Sequence, residues 1–136
     1  MSERRGDFPF GQVPVLEVGG ERLTQSAAIM RYVGRTGGWT PTDPLESHRV
    51  DEVLNAINDI TALIVKTFSL GEEERIKARD ELVGEGGMIH IILSGLQNRL
   101  EGKEWFAGND ISEAEMSLYA YSLGIKSGRF EISCCC

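Results

Sequence analysis

Ser26, preceded by Gln25, stands where an apolar-periodic run begins. A hydroxyl at such a point can cap a helix, donate to a ligand, or share both roles. A helix start also offers unpaired backbone N–H groups and the positive end of its dipole, which suits a carboxylate or phosphate. A second recognition point lies upstream at Val13-Pro14. Proline has no N–H to give to a ladder, so one inside VPVLEV marks an edge, a bulge or a cis bond at a turn. If that bond is cis, the Val13 amide is turned out of ladder pairing and can meet the main chain of a ligand. Two such neighbouring points suggest a small acidic peptide. The plainer alternative is that Ser26 only caps a helix and Pro14 only shapes a turn.

The elements that must position these residues lie between Phe8 and Arg35. Val15, Leu16 and Val18 form an apolar strand running into Gly19-Gly20, a two-residue hairpin signal. Arg22, Leu23 and Thr24 form the return strand. Ala27, Ala28, Ile29, Tyr32 and Val33 then carry helical spacing.

The run PFGQVPVLEVGGERLTQSAAIMRYVGR resembles the glutathione-site segment of cytosolic glutathione transferases, of the sigma-like and related classes. The resemblance implies the second half of a thioredoxin-like domain with a cis proline. In that family the residue before the proline pairs with glutathione's cysteinyl backbone, and a Gln-Ser pair binds the γ-glutamyl carboxylate. Carried onto this chain, the glutathione-binding residues are Val13, Pro14, Gln25 and Ser26, with Gln12 as a neighbour.

Composition fits a soluble globular chain, and the formal net charge of −7 argues against nucleic-acid and anionic-membrane partners. No apolar run nears the roughly twenty residues of a membrane span. Residues 1–7 are polar, without a secretory h-region, so they are expected to be poorly fixed and the location cytoplasmic. The three cysteines close the chain as Cys134, Cys135 and Cys136, a spacing that suits neither a disulfide nor a zinc site. No metal is expected. His48 reads as a solvated helix-start residue, and His90, among Ile89, Ile91 and Ile92, as a packed one.

The expected fold class is α+β: a partial thioredoxin-like domain over 1–36 (hairpin plus helix), a Gly/Pro/Thr linker over 37–44, and an incomplete all-helical domain over 45–136. Trp39 in the linker is expected to pack onto the interface between the two domains. Val50, Val53, Leu54, Ile57, Ile60, Ile64 and Phe68 predict a helix from Leu45 to about Ser69. A second helix is expected from Glu72 to about Leu100, kinked or broken at Gly84, Gly86 and Gly87, with the charge run Glu72–Glu81 as a solvated face. Ser112 and Glu115 have capping-box spacing, and Ile111 and Met116 that of a hydrophobic staple. The motif resembles the family's, which normally ends in Asp; the longer Glu115 predicts a looser box.

By the same resemblance, Asp59 in VDEVLNAINDI reaches across a homodimer to glutathione's α-amino group; a solvated helix acid is the alternative. Asn55 and Asn58 stand where some relatives carry acids for a divalent cation. The thiol-activating Tyr, Ser or Cys of the family belongs to a first strand ahead of Phe8. Residues 1–7 hold no Tyr or Cys, and Ser2 lies too close to the motif. The chain is therefore expected to carry half a glutathione cradle without its activating group, and an open sheet edge that favours aggregation or a partner chain. No catalytic residue is assigned. Three functional readings follow: an enzyme joining the thiolate of glutathione, its co-substrate, to a hydrophobic electrophile; a non-catalytic glutathione-transferase-like binding module; or a partial product with no function of its own.

Overall fold

The computed structural model describes residues 8–126, the side chain of Lys126 excepted. Residues 1–7 and the terminal cysteines lie outside the described residues, as do the expectations that fell on them. Two strands, β1 (Val15–Val18) and β2 (Glu21–Thr24), are followed by α1 (Ser26–Gly37), α2 (Pro44–Thr67), α3 (Glu72–Val83), α4 (Met88–Leu100) and α5 (Glu113–Lys126). The class is α+β.

The hairpin forms where the glycines permit it. Gly19 and Gly20 take φ of 58° and 87°, the left-handed pair that matches the twist of a two-residue turn. Val15 then faces Thr24, and Val18 faces Glu21, in one antiparallel register. The ladder starts after Pro14, so the missing proline N–H costs it no bond. In α1, Ala27 and Met30 turn toward the core, while Ala28 and Tyr32 of the expected stripe are exposed. The helix ends at Gly38, whose φ of 77° only glycine adopts freely. Trp39, in the loop that follows, lays its ring over Gly37.

Asp43 opens α2 by accepting the N–H groups of Leu45 at 3.0 Å and Glu46 at 2.9 Å, with Pro44 at the first helical position. Its apolar stripe splits between two clusters. Val50, Val53 and Leu54 pack with Leu96, Phe106, Ala107 and Ala114, whereas Ile60 and Ile64 pack with Ile89. Phe68, expected in the stripe, lies past the helix end and is exposed.

The glycine-weakened stretch is a complete break between α3 and α4. A Cβ on Gly87 would stand 2.3 Å from the Glu81 carbonyl oxygen, so only glycine lets the chain fold back there. Two expectations about these helices are overturned. His90 is exposed, because α4 turns Ile89 and Leu96 inward instead. Arg79, in the supposed solvated face, is 1% exposed. Its Nε donates to the Thr67 hydroxyl at 2.9 Å, and its guanidinium sits 5.0 Å from the Phe68 ring centre. Arg79→Ala should therefore cost about 2–3 kcal/mol in urea unfolding, far above the ±0.5 kcal/mol of a surface site.

The start of α5 also differs from expectation. Glu115 accepts the Ser112 N–H at 2.9 Å and the Ser112 hydroxyl at 2.6 Å. Its other oxygen accepts the Phe106 N–H at 2.7 Å. The added methylene gives the carboxylate a reach to a second segment, and the box is not loosened. The Ser112 hydroxyl accepts from Ala114 at 3.2 Å, completing the cap.

Glu46 ties α2 to the loop before α5: one oxygen pairs with Arg49 and the other accepts the Gly108 N–H at 2.7 Å. The Gly108 bond is the main cause holding its carboxyl below the ordinary glutamate value of 4.5. A depressed folded-state value contributes stability above the unfolded value that fades as pH falls through the folded one. Glu46→Gln should thus lower stability at neutrality, converge with the parent as the pH falls below about 4.5, and flatten the stability-against-pH curve there, as read by acid titration of the unfolding midpoint.

Candidate functional site

A cavity of about 60 Å³ opens between the end of the Phe8–Gly11 turn and the start of α1, lined by Phe10, Gln12, Val13, Pro14, Thr24, Gln25 and Ser26. Three local features build it. The Gly11 N–H closes the turn on the Phe8 carbonyl at 2.8 Å, with Gly11 at φ 64°. The Val13-Pro14 bond is cis, and Val13 is 76% exposed. The ladder begins only at Val15, so the main chain of Val13 takes no part in the sheet. On the opposite wall Gln25 stands at φ 68°, a left-handed conformation uncommon for a residue with a side chain and concentrated at ligand sites.

Gln25 is the N-cap of α1, yet its side chain makes no capping bond. Ser26 follows as the first helical residue, so it is not the cap that the plainer alternative required. It is exposed, and no described hydrogen bond engages its hydroxyl. The first intrahelical bond joins the Ile29 N–H to the Gln25 carbonyl at 2.9 Å. The N–H groups of Ser26, Ala27 and Ala28 precede it and have no carbonyl behind them within the helix. The cavity thus pairs an unengaged hydroxyl with the positive end of a helix.

No lining residue is ionisable. These walls can bind an anion and a main chain, but they move no proton.

Gln12, Val13, Pro14, Gln25 and Ser26, all singled out from sequence, meet at this cavity. Asp59 does not: it is exposed on α2, beside exposed Asn55 and Asn58, and lines no part of it. Phe10 and Thr24 also line it and were missed. Their positions, in the turn before Gln12 and at the last residue of the return strand, were the available signals. Among the described residues no three His, Cys, Asp or Glu gather as metal ligands, and no helix is long and apolar enough to cross a membrane.

A hairpin led in by a cis proline and followed by a helix, with further helices packed behind, is the arrangement of the glutathione S-transferase fold. This chain is a glutathione S-transferase-like protein. The family model "Glutathione S-transferase, N-terminal domain" matches residues 6–35. Glutathione S-transferase 1 of Ascaris suum is 31% identical over 114 residues, covering 79% of this chain and 54% of that protein. Hematopoietic prostaglandin D synthase of Rattus norvegicus is 36% identical over 112 residues, covering 79% and 53%. The solved structure of the rat hematopoietic enzyme complexed with a quinoline superposes with a TM-score of 0.77 at 28% identity, covering 93% of this chain and 64% of that one. The chain spans about half the length of the curated relatives it matches.

Proposed function

We propose that the cavity holds glutathione. The γ-glutamyl carboxylate lies at the start of α1 against Gln25 and Ser26, and the cysteinyl main chain pairs with Val13, with Pro14 shaping the wall and Gln12 beside it. The observation that carries this reading is the meeting of two complementary recognition points on one small cavity. One wall favours an anion; the other offers a main chain not engaged in the sheet.

The reaction class is transfer of glutathione's thiolate to an electrophilic carbon of a hydrophobic small molecule, in a cytoplasmic homodimer. Asp59 contributes to the second subunit's site by facing glutathione's α-amino group. Residues 1–36 form the glutathione-holding part, 37–44 the linker and 45–136 the helical part. Activation lowers the thiol from its free value of about 8.5 by a donated hydrogen bond or positive potential. The two hydroxyls in the cavity, Thr24 and Ser26, flank the helix start, the acid end of the ligand. On this ground the second reading is a glutathione-binding module without turnover.

Retention on immobilised glutathione, with elution by free glutathione, tests the binding. Turnover of chlorodinitrobenzene by the purified chain separates the readings: retention without turnover supports the module, and turnover overturns the account of thiol activation. Asp59→Asn should weaken retention only under conditions where sedimentation shows a dimer. An equal loss in the monomer would remove the cross-subunit role.

A further inference from the structure

Glu113, the first residue of α5, is 1% exposed. Its Oε1 accepts the Thr40 hydroxyl at 2.7 Å, a bond between residues 73 positions apart. Its Oε2 is buried with no hydrogen-bond partner. The carboxyl group also lies directly on Gly34, the buried residue of α1. A Cβ at Gly34 would stand 2.5 Å from the Glu113 Cδ and 2.7 and 2.8 Å from its oxygens. The Gly34 carbonyl in turn accepts the N–H groups of Trp39 at 2.8 Å and Thr40 at 3.3 Å. The last turn of α1, the connection to α2 and the start of α5 therefore converge on one carboxyl group.

A buried acid with one oxygen unpaired is a poor way to gain stability, because an apolar side chain there would carry no desolvation cost. What it supplies is direction. Ala27 and Met30 also join α1 to the helical core, and Arg31 pairs with Asp51 of α2. The apolar seam is non-directional, and the ion pair is partly solvated, so neither defines one seating. The Glu113 carboxyl accepts the Thr40 hydroxyl and lies against Gly34, and a hydrogen bond, unlike an apolar seam, has a preferred direction. Glu115, two residues on, differs in kind: its bonds stay within the start of α5 and the segment leading to it.

We infer that Glu113 is a positioning residue that sets how the segment 8–37, which carries every residue lining the cavity, is seated on α2–α5. The inference goes beyond the proposed glutathione binding and stands independently of it, because no cavity wall touches the interlock.

Two measurements test it. The first is a stability cycle. Gly34→Ala should lower the urea midpoint sharply in the wild-type chain and only slightly in a Glu113→Ala background, where the methyl enters vacated space. An equal drop in both backgrounds overturns the interlock. The second reads orientation through residual dipolar couplings of backbone amides in solution. In the wild type and in Thr40→Ser, which keeps the hydroxyl, couplings from 15–37 and from 44–126 should fit one alignment. In Thr40→Val and Glu113→Leu they should need different ones. A common fit in Thr40→Val, which removes only the hydroxyl, overturns the positioning role even if Glu113→Leu fails to fold. Retention on immobilised glutathione should be the same in Thr40→Val and wild type. Failure of the glutathione reading would instead remove retention from both proteins and leave the couplings as expected.

Discussion

Ser26→Ala should lower affinity for immobilised glutathione about 10- to 100-fold while leaving the fold intact. The hydroxyl is exposed, unengaged and on the cavity wall, so its loss removes a donor to the ligand and nothing from the helix. A hydrogen bond to a charged group contributes about 1.5–3 kcal/mol, which converts to that range of affinity. An exposed residue that caps nothing changes stability by no more than about 0.5 kcal/mol. The measurement is glutathione affinity by competitive elution, beside a urea unfolding curve. Unchanged affinity would place the ligand's acid end elsewhere. A large loss of stability would return Ser26 to the role of a structural cap.

The second large effect belongs to Glu115. Glu115→Ala removes the acceptor for the Ser112 N–H, the Ser112 hydroxyl and the Phe106 N–H together. Phe106 is itself buried, so its amide loses its acceptor away from water. Stranding buried donors at about 1–3 kcal/mol each, with partial recovery by water at the helix start, gives a loss of about 3 kcal/mol. The urea midpoint should fall with the slope unchanged, the sign of lost stability without a change of state. Glu115→Asp separates the two functions of the side chain. The shorter arm can still serve Ser112 but not reach Phe106, so it should cost about 1 kcal/mol. An Asp variant as stable as the parent would show that the bond to Phe106 contributes little.

Much of the candidate site was legible because it is built from neighbours in the chain. Gly19-Gly20 can only turn, Pro14 cannot join a ladder, and Gln25-Ser26 ends a strand where helical spacing begins. Local sterics and hydrogen-bond supply therefore brought Gln12, Val13, Pro14, Gln25 and Ser26 within reach of one another. The start of α2 was legible to within a residue because the Gly/Pro/Thr linker gives way to helical spacing there, and the break between α3 and α4 because Gly84, Gly86 and Gly87 act on their own backbone.

Burial of charge was not legible. Arg79 lies in a run of acids and bases that reads as a solvated face, and its cover comes from Thr67 and Phe68 at the end of another helix. Glu113 is buried because Gly34 leaves room and Thr40 supplies a donor from a distant part of the chain. His90 reads as packed from its isoleucine neighbours, yet the seating of α4 turns it outward. A residue's conformational preferences and its nearest partners are written beside it in the chain, whereas desolvation depends on which remote surfaces come to cover it. No period or motif carries that information.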